Sequence, residues 1–400
     1  MRQVPTSQAP AASEAYAPTL PAVHQASTAG SDALAAATPG DFGFSPGLDD
    51  TLSPGILDVF DPGLLDMDHV ADMFDFWTTA TSARHSPQAL HADPVDAERS
   101  IDTMNGMAAQ VIGATGDLEP CLLQQYRFDE SNRFRFQRLT IQSVQHGRDP
   151  LQFLLSDISL LTPGKSETGH NQLDFDRLGS SLEAAVPAKH GTILVKLFQF
   201  YVAPCLPIFS AEQPPNVCTS PPYLLAAIYL CTQQFAKLDD SLGVELAYEP
   251  APTAELIRIA SVVLSSTMHT PNMQVLQTLL LLVIRPSTSS AVTEAPYRWS
   301  LLGHLVACSQ TLGLQYDASK WPDSVAQRNM RRRISFLVYA IDKWMACGLG
   351  RPPLISRENW MIDNLEIDSL KDSGLREQQS SCLIAMSDLT TILSKVLSDL

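Results

Sequence analysis

The chain is 400 residues long, 45% hydrophobic and 18% charged, with a formal net charge of −16. Such a composition can bury a sizeable core, in one large domain or two average ones, while the acidic balance excludes a surface that grips nucleic acid over its whole extent, since phosphate binding needs clustered Lys and Arg. No apolar run approaches the roughly 18 residues of a membrane span, the longest, Val275–Ile284, being interrupted by Gln277 and Thr278, and the opening residues lack the basic and apolar regions of a secretory leader.

The charge is concentrated at the start. Residues 1–100 hold 14 acidic and 3 basic residues, against 29 and 24 in the remainder. The first 40 residues are mostly Ala, Pro, Ser and Thr. With so little large apolar surface they cannot offset their ordering entropy, and residues 1–100 are predicted to be a disordered acidic arm. Within it, 41–77 carries nine aspartates and no Lys or Arg, interleaved with large apolar side chains that end in Phe74, Phe76 and Trp77. Like charges hold such a segment open while its aromatics stay available to a partner's hydrophobic groove, which is the composition of amphipathic activation segments. Phe74, Phe76 and Trp77 are its expected anchors.

Residues 101–185 read as a linker or a partly ordered extended segment. Tyr126–Ile141 alternates in part, which suggests one strand pair or an irregular extended stretch. Its arginines, Arg127, Arg133, Arg135 and Arg138, fit a solvated face better than a nucleic-acid contact. Leu161–Asn171, with Pro163, Gly164 and a polar run, reads as a loop.

From about residue 186 the pattern is helical. Ile193–Tyr201 ends before Pro204 and Pro207, and Pro221–Pro222 opens a helix over Tyr223–Lys237. Thr253 is placed to cap a third, with Leu256, Ile259, Ala260, Val263 and Leu264 as one buried stripe. Pro271–Asn272 starts a fourth, to Ile284. Pro296 begins a fifth, with Leu301, Leu305, Cys308 and Leu312 inward and Gly313 as its C-terminal stop. Asp323 or Ser324 caps a sixth over Val325–Cys347, and Leu375–Leu400 gives a last helix or pair. Long helices joined by Pro-marked loops predict an all-α domain over 186–400.

The seven cysteines lie mostly in apolar stretches, with no C-x-x-C pair. They read as reduced thiols of an intracellular protein rather than as zinc ligands, and no bound zinc is expected. Hydrolase, metalloprotease, dinucleotide and Walker signatures are missing, so no catalytic residues are assigned and no enzyme is expected. Asp239–Asp240 lacks the further carboxylate that a magnesium cluster of the helical-cyclase type would need.

The most specific stretch is Leu312–Leu354. It contains Leu312, Gly313 and Leu314 at a helix end, then Arg331, Arg332 and Arg333, Phe336, Tyr339, Asp342 followed by Lys343, and a closing Gly350, Arg351 and Pro352. This resembles the fungal-specific transcription factor domain, the α-helical regulatory region of fungal zinc binuclear cluster regulators. Phe198–Ser210 and Pro221–Phe235 resemble two earlier helices of that domain, so the likeness covers roughly 190–400. There are two departures. Family members carry six cysteines that chelate two zinc ions near the N-terminus, where this chain has one cysteine before residue 200, and their domain extends past the position of Leu400.

The resemblance implies a nuclear, non-enzymatic transcription regulator without the DNA-reading module and short of its last helices. Zinc would enter only with a six-cysteine module. The expected partners are a coactivator or other transcription machinery at 41–77, and a separate transcription factor that binds DNA. Neither a membrane nor sequence-specific DNA binding by this chain alone is expected. The alternative is a helical protein-interaction scaffold with no transcriptional role. The basic run Arg328–Arg333 reads as a helix start whose arginines pair with nearby acids, with a nuclear import signal or a phosphate contact as its other readings. Asp342 is expected to pair with Arg351 across the intervening turn.

Overall fold

The computed structural model describes residues 100–399, less 103–105, 114–122, 124–125, 137, 146–149, 170–173, 249–251, 288–293 and 362–364. The acidic segment 41–77, with Phe74, Phe76 and Trp77, lies outside the described residues.

The chain enters through a four-stranded antiparallel sheet: β1 (Met107–Ile112), β2 (Arg133–Phe136), β3 (Leu139–Gln145) and β4 (Leu151–Asp157), in the order β1-β4-β3-β2. The strand pair expected around residues 126–141 is β2–β3, with Phe134 opposite Ile141, and β1 and β4 extend it. One face of the sheet, Phe153 and Leu155 with Val144 and Leu151, packs on Ala318 and Trp321 of a later loop. The other buries Ile112, Leu123 and Ile141.

Helices follow: α1 (Thr162–Glu167), α2 (Phe175–Ala185), α3 (Ala188–Leu197, continued by a π-helical turn, Phe198–Val202), α4 (Pro222–Thr232), α5 (Asp240–Tyr248), α6 (Thr253–Ser261), α7 (Val263–Ser266), α8 (Met273–Ile284), α9 (Ala295–Thr311), α10 (Val325–Leu349), α11 (Ile367–Leu370) and α12 (Glu377–Asp399). The loop expected at Leu161–Asn171 is corrected: Pro163 sits in the first turn of α1, where its missing N–H has no helical partner to lose. Helix thus begins well before residue 186.

The architecture is mostly helical with a small sheet, and the core explains its layering. α4 runs Tyr-Leu-Leu-Ala-Ala-Ile-Tyr-Leu-Cys-Thr and is buried all round, as a helix without a polar face must be. α8 is nearly as apolar and lies beside it. α3, α6 and α9 cover this pair, α10 packs on α9, and α12 packs on α10. Asn272 caps α8 by accepting from the Val275 N–H, as expected. Thr253 does not cap α6. Pro252 holds that position, and the Thr253 hydroxyl instead meets Gln233 Oε1 at 3.2 Å.

Gly313 ends α9 at φ +71°, and a Cβ there would lie 2.7 Å from Cζ of Phe153. The sheet therefore docks directly against the Leu312-Gly313-Leu314 turn, which only glycine allows. Of the six cysteines described, only Cys231 is buried, while Cys205, Cys218, Cys347 and Cys382 are exposed, contrary to the buried reading. Burial pushes the Cys231 thiol up to about 12, which makes it inert as a nucleophile.

Candidate functional site

The residues singled out in the sequence converge on α10. Ser324 is its N-cap, with a full capping box to Gln327. That leaves the neighbouring Asp323 free to turn inward. Arg331 is 2% exposed and grips Asp102 with two bonds, Nε to Oδ2 at 2.7 Å and Nη2 to Oδ1 at 2.8 Å. It also donates to the Leu312 carbonyl at 2.9 Å and stacks 4.7 Å over the Trp321 ring. Arg333 is fully buried. It donates to the Pro207, Phe209 and Ser369 carbonyls and to Asp372. Burial lowers its pKa against the opposing pull of Asp372, and the guanidinium stays charged. Arg332 reaches Asp317 at 3.7 Å, and Arg328 bonds the Ser319 and Trp321 carbonyls.

The basic run is therefore the interior brace of the domain. Its import-signal and phosphate readings are corrected for the folded chain, because Arg331 and Arg333 are enclosed and their donors are occupied. Each arginine fixes a segment with no regular ladder of its own, whose carbonyls would otherwise be buried without donors. Gln277 does the same for Ile208, donating at 2.7 Å.

Half a helix further on, Tyr339, Asp342 and Lys343 form a second network. Asp342 is fully buried and accepts from Lys343 Nζ at 2.9 Å, the Leu354 N–H at 2.8 Å and the Ile355 N–H at 3.1 Å. Lys343 also donates to the Ile355 carbonyl and lies 4.7 Å over the Tyr339 ring. The Tyr339 hydroxyl meets Ser394 of α12 at 2.5 Å. The expected Asp342–Arg351 pair does not form. Gly350 closes α10 at φ 60°, and Pro352 follows exposed. This turn brings the backbone of 354–355, rather than the Arg351 side chain, back to Asp342. The Arg351 guanidinium lies instead 5.3 Å over Trp299 of α9.

Sequence reasoning missed Asp102, Asp372 and Trp299, and offered Asp323 only as an alternative cap, a place that Ser324 takes. Asp102 carried no signal, being a lone acid in a segment read as linker. Asp323 stands beside the Arg331–Asp102 pair with its Oδ2 unpartnered. Burial, reinforced by the nearby Asp102 charge, raises its carboxyl to about 6 against Arg331, the Ser100 hydroxyl and Arg328. The folded protein thus holds a proton there that the unfolded chain, at 3.8, has released. The stabilisation is complete below pH 3.8 and is lost as pH rises through 6. Asp323→Asn should accordingly stabilise the protein by roughly 3 kcal/mol at pH 8, with the gain fading towards pH 4. Urea unfolding of parent and variant at both pH values checks this, and a variant weaker than the parent at pH 8 would refute it.

Among the described residues, no group of His, Cys, Asp or Glu is placed to hold a metal ion. α12 is long and apolar enough, by length and composition, to cross a bilayer. In the fold its Ser387, Thr390 and Ser394 are bonded to Leu365, Trp344 and Tyr339.

Residues 192–400 match the family described as Fungal specific transcription factor domain. The chain is similar to the Transcriptional activator protein DAL81 of Saccharomyces cerevisiae, 30% identical over 188 residues that cover 45% of this chain and 18% of that protein. It is also similar to an uncharacterized transcriptional regulatory protein of Schizosaccharomyces pombe, 23% identical over 302 residues, 72% of this chain and 44% of that protein. The chain spans less than half the length of these curated relatives. No solved structure matches it. The family match takes in more than half of the sequence and includes all of α10, whose arginines and Tyr339–Asp342–Lys343 network hold the helices together, and on that ground the chain belongs to the fungal-specific transcription factor domain family.

Proposed function

We propose that the chain regulates transcription in the nucleus through protein partners, with 41–77 as the segment that recruits a coactivator or another part of the transcription machinery. The observation that carries the reading is membership of the family over 192–400, together with the transcriptional names of its relatives. The helical domain is the platform that regulates the segment. Its basic residues on α10 are engaged internally, so DNA would be reached through a separate DNA-binding factor. Base readout needs donors on an exposed rigid element, and Arg331 and Arg333 are 2% and 0% exposed.

Fused to a foreign DNA-binding domain, 41–77 should activate a reporter. Large apolar side chains dominate binding at such grooves, so replacing Phe74, Phe76 and Trp77 together by Ala should remove most of the activity. A silent parent fusion would favour a scaffold with no transcriptional role. A triple variant as active as the parent would show that charge alone is responsible.

A further inference from the structure

We infer that Ser287 is a phosphorylation site, its phosphoryl group held by the guanidinium groups of Arg285 and Arg298 where α8 meets α9. Both arginines are enclosed, with side chains 3% and 4% exposed, and one carboxylate, Glu294, answers both. Arg285 Nη2 donates to Glu294 Oε1 at 2.8 Å, and Arg298 donates to Oε2 from Nη2 at 3.2 Å and from Nε at 3.3 Å. Their other bonds go to neutral oxygens: the Pro286 carbonyl, the Val283 carbonyl and the Ser287 hydroxyl. Arg285 Nε is buried without a partner. The Cys231 thiol, close enough to feel both charges, is kept protonated by burial and supplies no anion. Among the described residues no second carboxylate bonds either arginine, so two buried cations share one anion.

The place of that excess charge matters as much as its size. Arg285 follows the last turn of α8, where the helix dipole favours a cation. Arg298 stands at the start of α9, the positive end of a 17-residue helix, where the dipole favours an anion. Burial lowers the Arg298 pKa against its bond to Glu294, and the Arg285 charge lowers it further. The corner is short of one anion, and Ser287 is placed to acquire it. That residue is exposed, lies outside the helices, and has its Oγ 3.0 Å from Arg298 Nη2.

The modifying reagent is a protein kinase with a nucleoside triphosphate. The bond from Ser287 Oγ to the γ-phosphorus forms as the bond from that phosphorus to the bridging β-phosphate oxygen breaks. The nucleoside diphosphate leaves, and the hydroxyl proton passes to the kinase's base. The product carries a charge of about −1.5 to −2 and three strong acceptor oxygens. Glu294 already bridges the two guanidinium groups, which shows that one anionic group can engage both. The phosphate therefore competes with Glu294, the residue that directly precedes α9, and phosphorylation loosens the hold of that carboxylate on the corner.

The full chain can be made with phosphoserine inserted at position 287 during translation. The second pKa of that phosphate, read by phosphorus NMR, should fall from about 6 in the urea-unfolded chain to about 5 or lower in the folded one. With the folded value the lower, the phosphate's stabilisation is complete above about pH 6 and is lost as pH falls through about 5. Relative to the unmodified chain, the unfolding constant should be reduced roughly tenfold more at pH 7.5 than at pH 4.5. Glu294→Gln removes the competing carboxylate and should enlarge that reduction; if this variant does not fold, the titration of the parent decides alone. Mass spectrometry of the chain purified from its own cells under phosphatase inhibition should place phosphate on Ser287. A second pKa equal in the folded and unfolded chains would overturn the inference. So would cellular chain with no phosphate, or with phosphate on Thr288, Ser289 or Ser290 and none on Ser287. Equal stabilisation of the unmodified chain by millimolar inorganic phosphate would also overturn it, by making the corner a receptor for free anions.

Discussion

Replacing Asp342 by Ala should destabilise the domain by about 3–5 kcal/mol, the range for removing one partner of a buried ion pair. The carboxylate is fully buried and has three donors, Lys343 Nζ and the N–H groups of Leu354 and Ile355. Its loss leaves an ammonium, 2% exposed, with only the Ile355 carbonyl and the Tyr339 ring. It also orphans two backbone donors, each worth about 1–3 kcal/mol when left unsatisfied. These terms share one site and will not add. Asp342→Asn keeps an acceptor for one of the N–H groups and should fall between parent and Ala variant. A double cycle with Arg351→Ala should show no coupling, since that side chain lies on Trp299. Urea unfolding measures all of these, and an Ala variant within about 1 kcal/mol of the parent, the level of a surface ion pair, would remove Asp342 from its assigned role.

Arg333 should be as sensitive, and Lys should not replace it. Its fork reaches the Pro207 carbonyl at 3.0 Å, the Ser369 carbonyl and Asp372 Oδ1 at 2.8 Å each, and the Phe209 carbonyl at 3.3 Å. These lie on two segments more than 150 residues apart in sequence, the loop after α3 and the end of α11 with the turn that follows it. A point-like ammonium on a longer stem cannot present donors in those directions at once. Arg333→Ala should cost about 3–5 kcal/mol, since it also takes the ion-pair partner from Asp372 and leaves that carboxylate only the Asn329 amide, at 3.0 Å. Arg333→Lys should recover only part of the loss. Hydrogen exchange should localise the damage, with the Ala211 amide, which bonds the Asp372 carbonyl at 2.8 Å, exchanging faster in both variants. A Lys variant with parental stability and parental exchange at Ala211 would show that one of the two segments does not depend on Arg333.

The helices most legible in the sequence were those with both a stop and a period. α8 has Asn272 before it and Pro286 after it, and α9 has Pro296 and Gly313. β4 was illegible because it is covered on both faces: Phe153 and Leu155 point to Trp321, and Leu154 points to the cluster of Ile112 and Ile141. A strand buried on both sides loses the alternation that would reveal it. The motif residues of α10 were legible by type and position, but not by partner. Nothing local ties Arg331 to Asp102 or Arg333 to Pro207, because tertiary topology decides which distant carbonyls need donors. The face of α12 misleads for a related reason: hydroxyl residues in a helix suggest solvent, yet here they meet Tyr339 and Trp344.

The docking of the sheet on the loop before α10 has a consequence for synthesis. Asp102 and Arg331 are separated by 229 positions. At about 5–20 residues per second, roughly 10–45 s pass between their appearance on the ribosome. During that time Phe153 and Leu155 have no Trp321 to cover them, and β4 and its neighbours present an uncovered apolar face beside unfinished helices. The nascent chain is therefore most exposed to wrong association before its own tenth helix exists. A fragment that stops short of Trp321 would carry that uncovered face permanently.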